Sequence, residues 1–123
     1  MDEGDITMVY IWDGKSNEKK VIAKLNEYNS REVIGMTNHI LVSYEGKFIR
    51  EGIGKNGDIL ANLEGDFIRE GNNNTGKVIA IIKGNEIKQA DLEGKLLFKI
   101  EGLASKIEKA ALTIAALILE GQI

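Results

Sequence analysis

Cysteine and proline are absent from this chain of 123 residues, and histidine occurs only once, as His39. Without cysteine the chain has no disulfides, no thiolate metal sites and no cysteine nucleophile. A single imidazole also excludes zinc sites and proton relays that are built from several histidines. The lack of proline suits a chain made of strands, because each proline removes one hydrogen-bond donor from a sheet. We therefore expect a protein that is not an enzyme, with no catalytic residue, no cofactor and no metal ligand to assign.

Positive and negative charges nearly balance, with 16 Lys+Arg against 19 Asp+Glu, and they are distributed along the chain rather than gathered in blocks. A nucleic-acid partner is not expected, because it would require a clustered basic surface. The content of 43% hydrophobic residues is enough for one core, so we expect a single domain over residues 1–123. The first residues, Met1–Asp5, are acidic and are not followed by a long apolar segment. A cytoplasmic location without a signal peptide or a membrane span is the resulting expectation.

An internal repeat of about 19 residues runs through the chain. The segment FIREG occurs at Phe48–Gly52 and again, 19 residues later, at Phe67–Gly71. Further copies lie at Gly84–Gly102 and at Tyr10–Ala23, and a shortened fifth copy lies within Val33–Gly46. A fixed period of this kind indicates that each copy is one small structural unit that packs against its neighbours.

Each copy has the pattern of a β-hairpin. Two short β-rich runs flank a loop rich in glycine and asparagine, such as Gly71–Gly76. Tight turns with glycine, such as Glu45-Gly46 and Glu64-Gly65, join one copy to the next. Residues 1–102 are therefore predicted to form a mainly β meander of about five tandem hairpins, as a strongly curved sheet or a barrel-like repeat fold.

Alternation along the strands predicts which side chains face the core. In the first strands the predicted inward residues are Ile11, Ile34, Ile49, Ile68 and Ile87. In the second strands they are Val21/Ala23/Leu25, Ile40/Val42/Tyr44, Ile59/Ala61/Leu63, Val78/Ala80/Ile82 and Leu96/Phe98/Ile100. The residues Ile22, Leu41, Leu60, Ile79 and Leu97 are predicted to face outward. The small side chains of Ala23, Ala61 and Ala80 indicate that another element approaches the sheet closely.

The C-terminal segment, residues 103–123, is predicted to be that element. Ser105 and Glu108 form a capping box, and Gly121 stands where a helix ends. Between Ala110 and Leu119 every residue except Thr113 is apolar. This run is too short for a membrane span, which needs about 20 residues, so a buried helix is favoured over a membrane anchor. The sheet is expected to curve around it.

The repeat unit, written here as GDFIREGNNNTGKVIAIIKG, resembles the tandem units of bacterial short β-repeat proteins of the four-fold β-flower type. The resemblance covers about Tyr10–Leu119. The sequence departs from the family pattern in the shortened copy Val33–Gly46. It also departs at Glu86, where the equivalent residues of two other copies are the aromatic Phe48 and Phe67. The resemblance implies a compact repeat fold with an apolar C-terminal helix, and it brings no catalytic motif with it.

The predicted outer face of the sheet is the candidate interaction surface. Aromatic and cationic residues alternate on it in the first strands, at Tyr10, Trp12, Phe48, Arg50, Phe67 and Arg69. An apolar patch of more than a few hundred Å² exposed on a monomer generally marks an interface. Self-association into a homo-oligomer is the first hypothesis. The alternatives are that the face packs internally, and that Tyr10, Trp12 and Arg69 bind a glycan or a peptide.

Four other motifs have simpler explanations than chemistry. His39 is interpreted as a turn or surface residue. The acidic groups in Met1–Asp5 and at Glu64 with Asp66 are interpreted as solvated termini and turns. The glycine-rich stretches at Gly52–Gly54 and Gly71–Gly76 are hairpin loops, because neither opens a helix after a parallel strand as a phosphate loop does. The turn from Asp13 to Asn17 has too few oxygen ligands for calcium. The function expected is that of a non-catalytic structural or interaction protein, with an enzyme as the competing class.

Overall fold

A computed structural model describes residues 8–15, 18, 20–26, 31–52, 57–91 and 94–123. These residues form ten strands and one helix. The strands are β1 (Tyr10–Asp13), β2 (Val21–Leu25), β3 (Glu32–Gly35), β4 (Ile40–Glu45), β5 (Phe48–Glu51), β6 (Ile59–Glu64), β7 (Phe67–Glu70), β8 (Val78–Lys83), β9 (Glu86–Gln89) and β10 (Leu96–Glu101), and the helix is α1 (Lys106–Leu119).

The ten strands form a closed antiparallel barrel. Each strand pairs with its neighbours in the sequence, and β1 closes the ring by pairing with β10, where Ile11 lies opposite Ile100. The predicted mainly β meander of five hairpins is confirmed, and of the two predicted forms the structure is the barrel. Closure leaves no free sheet edge at β1 or β10, so the backbone groups of these terminal strands are paired within the wall.

Helix α1 lies inside the barrel. Eight consecutive residues, Ala110–Leu117, are buried. A helix on the surface of a domain buries only one side, so burial around the full circumference means that the wall encloses it. The helix contacts β1–β6 and β8. The inward alanines Ala23, Ala61 and Ala80 are completely buried and make room for the helix, as their small size predicts.

The same position of the first strand supplies the core in every hairpin. Ile11, Ile49, Ile68 and Ile87 are completely buried, as predicted. In β3 the residue that faces the core is Val33, between Leu25 and Val42, and not the predicted Ile34. Ile34 is buried as predicted, at 8% exposure, but it pairs with Lys24 on the other face of the wall. Because side chains alternate with period two, a slip of one residue moves a side chain to the other face.

A β-bulge interrupts the pairing inside each hairpin, and it changes which residues face the core. The register shifts between the two strands of all five hairpins and stays regular in the pairings between hairpins. The predicted inward residues Val21, Ile40, Ile59, Val78 and Leu96 therefore lie opposite the outward residues Trp12, Ile34, Arg50, Arg69 and Lys88. The predicted outward residues Ile22, Leu41, Leu60, Ile79 and Leu97 pack against the core instead.

Two glycines in the hairpin loops are required by close backbone packing. A Cβ added at Gly57 would lie 1.8 Å from the carbonyl oxygen of Glu51, and one added at Gly76 would lie 1.9 Å from that of Glu70. The two positions are equivalent in the repeat. The loop therefore folds tightly against the end of the first strand, which only glycine permits.

The predicted capping box of α1 is present. The Ser105 hydroxyl accepts a hydrogen bond from the Glu108 amide at 3.3 Å, and Oε1 of Glu108 accepts one from the Ser105 amide at 2.7 Å. Oε2 of the same carboxylate accepts from the Tyr44 hydroxyl at 3.2 Å. Glu108 thus joins the start of the helix to the inner wall of the barrel.

Candidate interaction surfaces

The two arginines of the repeated FIREG segments form hydrogen bonds with the backbone of their own hairpin loops. Nη1 of Arg50 donates to the carbonyl oxygen of Gly57 at 3.0 Å, and Nη1 of Arg69 donates to that of Gly76 at 2.9 Å. Each contact spans seven residues and has the same place in its repeat. The guanidinium groups on the outer face therefore stabilise the hairpin loops, which the sequence pattern alone does not show.

Arg69 is the more firmly held of the two. Its Nε donates to Glu64 Oε1 at 2.7 Å, and its guanidinium carbon lies 6.0 Å from the centre of the Phe67 ring. In the preceding repeat, the ammonium of Lys47 lies 5.4 Å from the centre of the Phe48 ring. Both phenylalanines thus carry a cation over the ring, which is a favourable arrangement on a protein surface.

An apolar patch on the outer wall consists of Phe48, Phe67 and Ile81, and we call it the phenylalanine patch. Phe67 is 41% exposed and lies opposite the half-buried Ile81 of β8. Phe48 is half-buried on β5, with β6 between it and Phe67. Phe48 and Phe67 belong to the surface predicted from the sequence, whereas Ile81 does not, and the three side chains lie on β5, β7 and β8.

Tyr10 and Trp12 lie on a different part of the wall. Both are half-buried on β1, which is four strands away from β5 in one direction and four from β7 in the other. At roughly 4.8 Å per strand, this corresponds to about 19 Å along the wall. The single outer face predicted from Tyr10, Trp12, Phe48, Arg50, Phe67 and Arg69 is therefore two separate surfaces. The sequence cannot show this, because the separation arises from the closure of the barrel.

A groove of about 380 Å³ extends the phenylalanine patch towards the start of the helix. It lies between Phe67 and Ile81 on one side and Lys106 and Lys109 on the other. Lys106 forms an ion pair with Asp66 at 2.8 Å, and its hydrogen bond and positive charge lower the pKa of the exposed Asp66 carboxyl. The Lys109 ammonium donates to the carbonyl oxygen of Gly84 at 2.7 Å.

A second concave site is a pocket at the mouth of the barrel, where α1 ends. Its volume is about 660 Å³. Leu60, Ile79 and Leu97, one from each of three successive hairpins, line it together with Leu117 of the helix. Alternation along the strands predicts these three residues on the outer wall, and the bulge at each hairpin places them at the mouth. Sequence reasoning missed this pocket for that reason.

The remaining sequence motifs are only partly covered by the structure. His39 is exposed in the turn between β3 and β4, as predicted. In the Asp13 turn, Oδ1 of Asp13 accepts a hydrogen bond from the Lys15 amide at 2.8 Å. Residues 1–7, 16–17 and 53–56, which include the acidic N-terminus and the end of the Gly52–Gly54 stretch, lie outside the described residues.

The architecture defines the class of protein, a β-hairpin repeat protein whose units form a closed ring around an apolar helix. The model of the 6-fold beta flower protein family matches residues 9–123, so the chain belongs to that family. The resemblance to β-flower proteins is confirmed, but the four-fold type is not. No curated protein and no solved structure matches the chain.

A helix that could cross a bilayer is not found among the described residues.

Proposed function

We propose that this protein is a non-catalytic structural module that associates with a second copy of itself through the phenylalanine patch. The exposure of Phe67 carries the proposal, because 41% of this large aromatic residue faces solvent beside Ile81. The core of the barrel is filled by the inner isoleucines and the helix, so it does not need this ring. Covering the patch would remove apolar surface from water, which is the main driving force of association.

The charges around the patch favour a second copy as the partner. Groups of both signs border the patch: the lysines are Lys47 and Lys83, and the carboxylates are Glu64 and Asp66, which also pair with Arg69 and Lys106 of their own chain. A two-fold axis through the patch brings the same surface of two chains together, so groups of opposite sign can face each other. Arg69 is already held in place by Gly76 and Glu64, so its ordering costs little entropy on association.

The test is the molar mass in solution, measured by light scattering from micromolar to submillimolar concentration. We expect the mass of the wild-type protein to rise from the monomer value of 13.5 kDa towards twice that value. Phe67→Ser is expected to remain monomeric. Leu103→Ser is the matched control, because Leu103 is 87% exposed between β10 and α1 and does not line the groove beside the patch.

Two results would contradict the proposal. One is a wild-type protein that stays monomeric over the whole range. The other is association that Phe67→Ser leaves intact or that Leu103→Ser abolishes. Far-ultraviolet circular dichroism of each variant shows whether it is folded, so that a loss of association is not confused with unfolding.

Binding of a glycan or a peptide is the second candidate, but its surface is smaller than the sequence predicts. Tyr10 and Trp12 neighbour each other along β1, whereas Arg69 lies four strands away. A titration followed by Trp12 fluorescence tests the part that remains, since Trp12 is the only tryptophan of the chain. A saturable change with a glycan or peptide would favour this candidate over self-association.

A further inference from the structure

We propose that the pocket at the barrel mouth binds a small amphiphile with an aliphatic body and a cationic head. This inference is independent of self-association, because the mouth and the phenylalanine patch are different surfaces. The volume of about 660 Å³ lies within the range of about 300 to 1,000 Å³ that is typical of small-molecule sites. The mouths of β-barrels are among the places where such sites occur.

The aliphatic body of the ligand is inferred from the floor of the pocket. Leu60, Ile79 and Leu97 are only partly buried, although they pack against the core, and Leu117 closes the floor from the helix side. A ring of aliphatic side chains around an open concave site leaves apolar surface in contact with water. An alkyl group bound there would remove from water both the apolar surface of the pocket and its own apolar surface.

The C-terminal residues form one side of the pocket. Gly121 has φ of +76°, which ends the helix, and the Gln122 amide donates to the Leu117 carbonyl oxygen at 2.8 Å. The chain thereby turns back across the mouth, and Gln122 and the half-exposed Ile123 line the pocket. The pocket is thus bounded by the barrel wall, the helix and the folded-back end of the described chain.

The cationic head is inferred from the charges at the rim. Lys15 forms an ion pair with Glu120 at 3.6 Å, so these two charges offset each other. Among the described residues that line the pocket, the other charged ones are Glu70, Asp91 and Lys77, and they leave an excess of one negative charge. An ammonium group at the rim is therefore favoured over a carboxylate of the same chain length.

Three probes of equal length test both parts of the proposal: octylamine, octanol and octanoate, each below its aggregation limit. We expect saturable binding by calorimetry with octylamine strongest and octanoate weakest. The methyl resonances of Leu60, Ile79 and Leu97 are expected to shift in NMR spectra, while those of Leu103 stay in place. Octanoate binding as tightly as octylamine, or shifts located away from the mouth, would overturn the proposal.

A pair of repeat-equivalent variants tests the role of the rim. Glu70 lines the pocket at the end of β7, and Glu51 has the same position in β5 but is not among the lining residues. Glu70→Gln is expected to weaken octylamine binding about two- to five-fold, the size of a solvent-exposed charge contact, and to leave octanol binding unchanged. Glu51→Gln is the matched control and is expected to bind like the wild-type protein.

A second variant tests the site without removing a core residue. Ala90 is half-buried and lines the pocket. Ala90→Trp is expected to fill the mouth and to abolish binding of all three probes, with the thermal unfolding midpoint within a few degrees of wild type. Unchanged binding of octylamine to a folded Ala90→Trp protein would show that the mouth is not the site.

Discussion

Replacing Tyr44 by phenylalanine removes one specific contact between the barrel wall and the helix. Tyr44 is 9% exposed on the inner face of β4, and its hydroxyl donates to Glu108 at 3.2 Å. A phenylalanine fills the same space, so the variant loses the hydrogen bond without forming a cavity. The bond is long for a hydroxyl donor and Glu108 is only half-buried, so we expect a loss of about 1 kcal/mol in the free energy of unfolding at pH 8.

The burial of the Tyr44 hydroxyl, together with its contact to Glu108, gives the protein a pH dependence that the variant lacks. Burial, and then the negative charge and the hydrogen bond of Glu108, raise the pKa of Tyr44 well above its ordinary value of 10.0, against a smaller opposing effect of Arg31. The folded chain therefore holds the phenol proton more tightly than the unfolded chain does. The stabilisation from this group is complete below pH 10 and is lost as the pH rises above it, by up to about 1.4 kcal/mol per pH unit.

Urea unfolding of the wild-type and Tyr44→Phe proteins between pH 8 and pH 11 measures both effects. The stability difference is expected to be constant up to pH 9, to pass through zero between pH 10 and pH 11, and to be slightly reversed at pH 11, because the wild-type protein loses about 1.4 kcal/mol over one pH unit above the ordinary pKa. All other ionisable side chains are common to the two proteins, so their contributions cancel in the difference. Tyr10→Phe, on the outer face of β1, is the control for the loss of a tyrosine. A difference that stays constant up to pH 11 would refute the conclusion that burial and Glu108 raise the pKa of Tyr44 in the folded protein.

Two further predictions concern packing. Gly76→Ala would place a Cβ 1.9 Å from the Glu70 carbonyl oxygen, and we expect it to destabilise the protein by about 1 to 3 kcal/mol in urea unfolding. Gly65→Ala is the control, because a Cβ added there meets no other atom within 4 Å and costs only the strain of a φ of +61°, about 1 kcal/mol. A smaller loss of stability at Gly76 than at Gly65 would contradict the close backbone packing at Gly76. Ala61→Leu adds three carbon atoms where the wall faces the helix and is expected to cost about 1 to 3 kcal/mol, with increased binding of a hydrophobic dye. Ile81→Leu, half-buried on the outer wall, is its control, and an equal effect of both changes would argue against an enclosed helix.

The candidate surfaces were predicted from the sequence only in part. The pattern identifies Phe67 correctly as an outward aromatic residue, because alternation from the buried Ile68 requires it. It groups Phe67 with Trp12, although the closed ring places them four strands apart. It also places Leu60 outside, because it counts an unbroken alternation through a strand that contains a bulge. The correct prediction of Phe67 depends only on an adjacent residue. The two wrong predictions, for Trp12 and Leu60, concern features that depend on how the strands pair.

The sequence by itself determined the local units of the protein. The repeated FIREG segments, the turn glycines and the capping box at Ser105 each act within a few residues, so hairpins and helix follow from neighbouring side chains. Only the tertiary structure decided that β1 meets β10, that the wall encloses the helix, and that bulges bring Leu60, Ile79 and Leu97 to the mouth. These features depend on the register and curvature of all ten strands together, and no single repeat contains that information.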